Sequence, residues 1–554
     1  MNHAGLIDLV PTKVRQQWTD DGTYPNKSVY ELFCEKVLEH PDSPAVISLD
    51  ETVTYAQLLD KAQRLAHSFK LMGIVAGDVV AYQLSNSWRC CAIDLAAAAL
   101  GAVVAPFPPG RGKLDIEALI KRCDARAIIT EPKYGNNDLC ALIQSLRPTL
   151  LSLRFLIVDG ETPNGWLNLD DLFKPPVIPE SLLTPVDPNS PVRFLISSGT
   201  ESEPKWVAYS HNALIGGRGR FLEHIDDDGK NFRGFYLMPL GTAFGSSATF
   251  GILSWLGGAI VLMSKFEVNN AIDSIDKLQP NYIFGVPTMF QRIAAEERLQ
   301  SIDKSSLRGI ISGGAKIDEA SVQRCSDAFD CGFISLYGSA DGVNCHSTLN
   351  DDLNIIVSKI GKPNPKVCEI RIVDEKGLPI PQGHVGEITA RGPISPMQYV
   401  NAPELDKIYR DKDGWVFTGD LGYIDNDGYL VLSGRKKDII IRGGANISPV
   451  QIENVAQSHP EVISAACIPV ADVDLGQRIC ICLVMRDGVE RPSLSQMSRF
   501  FKEQGLEINK LPEYLRYYRQ LPLSPAGKVD KKQLTSDVEF IQPPVKASSA
   551  QRVY

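Results

Sequence analysis

The chain has 554 residues, 44% hydrophobic and 22% charged, an ordinary globular composition with room for more than one hydrophobic core. Its net charge is −9, so no excess of Lys and Arg offers a sequence-independent grip on nucleic acid or on an anionic membrane, and a small-molecule substrate is expected instead. The 12 cysteines are scattered without the paired spacing of a zinc knuckle or finger, which fits reduced thiols in a cytoplasmic protein.

Met1 to Trp18 mixes Asp8, Lys13 and Arg15 with polar residues and lacks the apolar centre of a secretion signal. From residue 28 to about 425, helix-length amphipathic segments alternate with short β-branched runs: Asp78 to Gln83, Val103 to Pro106, Ala127 to Thr130, Phe155 to Val158 and Ile260 to Met263. That alternation predicts an α/β fold in which mostly parallel sheets are covered by helices. Two longer apolar stretches, Ala92 to Pro109 and Ser246 to Met263, are interrupted by Gly101 and by Gly257-Gly258. Each reads as a buried helix running into a buried strand rather than as a membrane span.

The texture changes near residue 420. Asn426-Asp427-Gly428, flanked by Tyr423 to Asp425 and Tyr429 to Val431, predicts a hairpin turn. Ser448-Pro449-Val450-Gln451 predicts a helix start with a capping box. Strands at Val462 to Val470 and Ile479 to Met485 and a helix at Leu494 to Gln504 complete a small α+β domain. The expected organisation is therefore a large domain over 1–434, a small domain over 435–537 and a disordered Pro-, Ser- and Ala-rich tail over 538–554.

The chemistry-bearing segments begin where the apolar run Phe194-Leu195-Ile196 enters Ser197-Ser198-Gly199-Thr200-Glu201-Ser202-Glu203-Pro204-Lys205. Small hydroxyl residues around a glycine, closed by a lysine, can surround phosphate oxygens with donors and one positive charge. The segment is not a Walker loop, because the second glycine and the hydroxyl residue after the lysine are absent. It resembles the phosphate loop of the adenylate-forming superfamily: acyl- and aryl-CoA synthetases, peptide-synthetase adenylation domains and firefly luciferase. Glu201, Ser202 and Trp206 depart from that pattern, and a carboxylate at Glu201 beside a triphosphate requires a metal or solvent between them.

Further segments follow in the family's order: Ser312-Gly313-Gly314-Ala315, Tyr337-Gly338-Ser339-Ala340-Asp341, Gly386-Glu387-Ile388, Thr418-Gly419-Asp420, Gly434-Arg435-Lys436-Lys437 and Ser524-Pro525-Ala526-Gly527-Lys528. The resemblance implies that Ser198, Gly199, Thr200 and Lys205 hold the ATP phosphates. Gly313, Gly314, Ala315, Tyr337, Gly338 and Ser339 take the adenine side, Asp341 stands near Mg²⁺, and Asp420 with Arg435 holds the ribose. Lys528 bridges the acid and the α-phosphate, Lys437 is the hinge, and Arg442-Gly443-Gly444 serves thioester formation. Asp341 replaces a longer Glu, so its metal is expected to be held through water.

By the same resemblance, Met238-Pro239-Leu240-Gly241-Thr242-Ala243-Phe244 borders the acyl site, with Thr242 where aryl-acid enzymes have His. No charge there can pair with an ammonium, so an amino acid substrate is disfavoured. A largely apolar acid, aromatic, alicyclic or medium-chain, is expected against Ala243, Phe244, Ser247, Ala248, Ser339, Val343 and Asn344. The expected function is AMP-forming acyl-CoA ligation with ATP, Mg²⁺ and coenzyme A. A separate carrier protein is the alternative acceptor, since the sequence ends shortly after Lys528 without a carrier domain, and a non-catalytic acyl or nucleotide sensor on the same scaffold is a further alternative. A monomer or homodimer is expected.

Overall fold

A computed structural model describes residues 6–197, 204–225, 231–315, 317–442, 445–472, 474–523 and 529–538. The chain divides into two compact units, Met1–Thr418 with Tyr423–Val431, and Gly419–Gly422 with Leu432–Tyr554.

The larger unit holds two eight-stranded sheets. One runs through Asn344–His346, Gly332–Gly338, Gly309–Gly313, Tyr282–Gly285, Arg233–Tyr236, Ala259–Leu262, Pro44–Ile47 and Thr52–Thr54. Its interior pairings are parallel and only the two outermost are antiparallel. The other runs through Gln398–Tyr399, Lys205–Ser210, Pro191–Ser197, Val103–Pro106, Val79–Gln83, Ala127–Thr130, Phe155–Val158 and Leu167–Asn168. It is parallel from Pro191–Ser197 onward and antiparallel at the end that carries Lys205.

Side chains alternate across each strand, so one apolar run serves two cores. Val80, Tyr82, Val104 and Ile129 meet Tyr236, Ile260, Phe284 and Ile311 in a central core shared by both sheets. Val79, Ala81, Val103 and Ile128 face a second core, and Phe235, Val261, Ile283 and Ile310 a third. In the central core lies the helix Trp88–Ala99, buried at every residue except Arg89; a helix apolar on nearly all sides is stable only where it is surrounded. The expected helix–strand reading of Ala92 to Pro109 is thus found, and Ser246 to Met263 likewise forms a helical segment, Ala248–Leu256, followed by Ala259–Leu262. That segment and Leu214–Gly219 are wound as π-helix, a winding that clusters near functional sites. Among the described residues no helix is long and apolar enough to cross a membrane.

A four-stranded sheet, Glu369–Val373, Gly386–Arg391, Val416–Ile424 and Leu430–Arg435, contains the predicted hairpin, and the division between the units falls inside its last two strands. In the smaller unit Ala445–Ile447, Ile440–Arg442, Gly476–Met485 and Val462–Asp472 form a sheet, with Tyr514–Tyr518 parallel to Gly476–Met485. Helices Pro449–Gln457, Leu494–Glu503 and Lys531–Val538 accompany it. The capping box expected at Ser448 does not form: the Ser448 hydroxyl donates to the Ser433 carbonyl and makes no cap to its own helix. The tertiary partner outcompetes the local one. All 12 cysteines are free thiols, and only Cys34 and Cys331 are not fully buried.

Candidate active site

Parallel sheets collect their loops at the carboxyl ends of the strands, where ligands of α/β folds bind. At that end of Pro191–Ser197 the antiparallel partner begins with Lys205 directly opposite Ser197. These two residues pin the ends of the predicted phosphate loop; Ser198, Gly199 and Thr200 themselves lie outside the described residues. Lys205 is buried to 5% exposure with its ammonium 4.9 Å from the centre of the Tyr409 ring. Alternation along the strand sends its neighbour Trp206 to the opposite face, where it is fully buried and donates from Nε1 to the Leu119 carbonyl at 2.9 Å. The indole that departs from the family pattern is therefore a core anchor behind the loop.

Asp341 sits in the turn that joins Gly332–Gly338 to Asn344–His346. Tyr399 donates its hydroxyl to Asp341 Oδ1 at 2.6 Å, and Ser197 donates to Oδ2 at 3.0 Å. The carboxylate thus joins the lysine strand's neighbours to the turn, although Ser197 and Tyr399 belong to the other sheet. Burial, reinforced by the Asp341 charge, pushes the Tyr399 phenol far above its usual range, so it remains a donor. Tyr209 donates to the Ala340 carbonyl at 2.7 Å. Gly342 has φ +98°, and a Cβ on it would lie 2.6 Å from Pro396 Cδ; only glycine admits both the turn and the close approach.

Next to this turn, Gly313 ends its strand under Phe244, where a Cβ would come within 3.1 Å of the ring. Gly314 and Ala315 are exposed, Tyr337 and Ser339 half-buried, Gly338 exposed, and Val343 and Asn344 buried. Phe244 packs edge-on against Phe284 at 6.1 Å. Ser247 and Ala248 are buried, with Ser247 sharing a 2.8 Å hydrogen bond with the Tyr236 hydroxyl. Thr242 folds back on its own loop, donating to the Pro239 carbonyl at 2.8 Å and accepting from the Gly245 amide at 3.0 Å. Its hydroxyl makes the turn that the loop requires.

Four contributors escape the motif reading. Asn86 accepts from the Leu240 amide at 2.8 Å and donates to the Met238 carbonyl at 3.0 Å, clamping the acyl-side loop. Arg193 donates to the Leu240 carbonyl at 2.7 Å and to Asp94 Oδ2 at 2.8 Å, with both side chains of the ion pair essentially inaccessible. Tyr399 and Arg218 complete the set. A charge inside an apolar run, as at Asp94 and Arg193, is a signal that sequence reading could have used.

In the smaller unit Arg435 donates from Nε to Asp420 Oδ1 at 2.8 Å, and Lys436–Asp438 forms a single 3-10 turn that contains Lys437. Arg442 pairs with Glu513 at 2.6 Å. Gly443, Gly444 and Lys528 lie outside the described residues, but the stem of the lysine loop is closed by a bridge between Leu523 and Val529 and by Asp530 N donating to the Pro522 carbonyl at 2.8 Å.

Helix-covered parallel sheets, a lysine closing a strand-to-strand loop and a tethered carboxylate at the strand ends define a nucleotide-handling α/β enzyme. The chain belongs to the AMP-binding enzyme family, which it matches over residues 33–400. It is 29% identical over 532 residues to a 2,3-dihydroxybenzoate-AMP ligase of Bacillus subtilis (strain 168), covering 95% of this chain and 96% of that one. Identity to a medium-chain fatty-acid–CoA ligase of Escherichia coli (strain K12) is 27% over 534 residues, covering 95% and 93%. Among solved structures, an amide bond synthetase from Marinactinospora thermotolerans superposes with a TM-score of 0.79 at 26% identity, covering 92% of this chain and 99% of that one.

Proposed function

We propose that the protein joins a carboxylic acid to AMP at the expense of ATP, releasing pyrophosphate, and then passes the acyl group to a thiol, with coenzyme A as the acceptor. The observation that carries the reading is Asp341 held by Ser197 and Tyr399 at the mouth of the loop closed by Lys205, in a chain of the AMP-binding family.

A carboxylate is a poor acyl donor because oxide would have to leave; attack on the α-phosphorus turns that oxygen into part of AMP, which leaves readily. Both reactants are anions, so the protein contributes position and positive charge rather than a nucleophile. Lys205 neutralises the departing phosphates, and Lys528 bridges the carboxylate and the α-phosphate. Asp341 fits Mg²⁺ that arrives with ATP: each of its oxygens has one O–H donor and retains lone-pair capacity. Among the described residues no group of three His, Cys, Asp or Glu side chains could hold a metal ion. When bound, the ion supplies charge neutralisation on the phosphates. Asp420 and Arg435 hold the ribose. Lys437 is the pivot that exchanges Lys528 for the Arg442-Gly443-Gly444 loop before thiol attack.

The acid is aryl, alicyclic or medium-chain. Phe244 over Gly313 offers a flat apolar wall, and Thr242, spent on its turn, leaves nothing to pair with an ammonium. A separate carrier protein is the second reading of the acceptor; the likeness to a 2,3-dihydroxybenzoate-AMP ligase, whose name specifies the acyl-AMP and no coenzyme A, leaves room for it, while the likeness to a CoA ligase favours the first. Acid-dependent ATP–pyrophosphate exchange over a panel of carboxylic acids, followed by coenzyme A with the best one, tests the proposal. Lys528→Ala is expected to lower exchange by orders of magnitude while ATP binding changes little. Failure of every acid to support exchange overturns the reading.

A further inference from the structure

Four arginines are buried among the described residues: Arg15, Arg193, Arg218 and Arg410. Three of them have a carboxylate. Arg15 meets Asp8 at 2.8 Å, Arg193 meets Asp94 at 2.8 Å, and Arg410 meets Asp406 at 3.0 Å. Arg218, 7% exposed, has only neutral oxygens. It donates to the Ser339 carbonyl at 2.8 Å, to the Ala243 carbonyl at 3.2 Å and to the Tyr209 hydroxyl at 3.3 Å. Its Nε is buried without a partner.

The two carbonyls it touches come from two separate segments assigned to the acyl site, one from the loop after Arg233–Tyr236 and one from the turn after Gly332–Gly338. Asp341, two residues along that turn, is held by the hydroxyls of Ser197 and Tyr399, and its charge and that of Arg218 both act on Tyr209, but no ion pair joins the two among the described residues. A guanidinium is always charged and has five donors; three hydrogen bonds to neutral groups leave donors free and the charge without a direct ion pair. Burying such a charge is costly unless something opposite in sign completes it. Arg218 stands on a π-helical segment, Leu214–Gly219, which aims it at these two walls rather than at solvent.

We propose that the substrate supplies the missing countercharge: the acid activated by this protein carries a second anionic oxygen group, a second carboxylate in the plain case, which docks against Arg218. The first carboxylate meets AMP while the second is read by the guanidinium, and the apolar wall at Phe244 takes the body between them. This rests on the adenylation reading above and adds a second anionic group to the largely apolar acid expected there. A cation at this position would also repel a substrate ammonium.

The experiment measures pyrophosphate exchange with aliphatic and benzene dicarboxylic acids, each against its monomethyl ester. Wild-type protein is expected to use at least one free diacid with a kcat/KM about tenfold or more above its ester, the scale of one charge-assisted hydrogen-bonded pair. Arg218→Met should abolish that preference, read as the ratio of diacid to ester kcat/KM within the variant whatever its overall rate, and Arg218→Lys should keep part of it. Equal or better use of every ester by the wild type overturns the inference, as does a preference that survives in Arg218→Met. Should Arg218→Met fail to fold, the wild-type ratios and Arg218→Lys still decide. Activation of monoacids without any diacid sinks this inference and leaves adenylation standing; exchange with no acid at all sinks both.

Discussion

Two Arg–Asp pairs in this molecule have the same 2.8 Å separation and opposite characters. Arg193 and Asp94 are 1% and 2% exposed at their side chains, in the central core of the larger unit. Arg435 and Asp420 are 38% and 11% exposed, in the smaller unit. Burial pushes the Asp94 carboxyl up against the pull of Arg193, so the buried pair persists because each partner would be worse off alone. The outer pair lies nearer to water, its guanidinium above all. An identical contact therefore positions backbone in one place and, on the proposed adenylation reading, holds the ribose in the other; surroundings, not distance, set the difference.

Breaking the buried pair should have the largest effect. Asp94→Ala strands the Arg193 charge and is expected to cost about 3–5 kcal/mol of unfolding free energy, measured by denaturant titration; a change below ~1 kcal/mol would show that the pair does not organise the core. Burial without any countercharge gives an effect that depends on pH and is the smaller of the two near neutrality. His211 is fully buried, accepts the Val29 amide on Nδ1 at 3.1 Å, and burial pulls its pKa down to about 3. The unfolded chain takes up this proton below about 6.5 while the native state does not. Stability is therefore lost as pH falls from about 6.5 towards 3, by ~1.4 kcal/mol per pH unit from this group. His211→Asn should flatten that part of the profile relative to wild type. The smallest effect on stability belongs to the outer pair: Arg435→Ala should change unfolding free energy by less than ~1 kcal/mol while weakening ATP use in the exchange assay. A large loss of stability there would erase the contrast between the two pairs.

The strand runs and both buried helix–strand stretches were readable from the sequence because apolar periodicity reports directly which residues avoid water. Motif segments were readable because glycine, lysine and aspartate at fixed spacing have few other reasons to occur together. Ser448 shows the limit of local rules, since its hydroxyl found Ser433 rather than its own helix. Trp206 shows another: a departure from the family pattern in the sequence becomes, on the strand, a side chain facing the opposite core.

Sequence alone determined the class of fold and the order of the segments, because these depend on residue type and short spacing, and the family resemblance proposed the roles of Lys205, Asp341 and Lys528. Only tertiary structure decided who holds that chemistry in place. Ser197 reaches Asp341 across 144 residues, Tyr399 across 58, and Arg218 reaches Ser339 across 121. Contacts of that span leave no periodicity and no local motif; they exist only once two sheets share a core and bring their strand ends together.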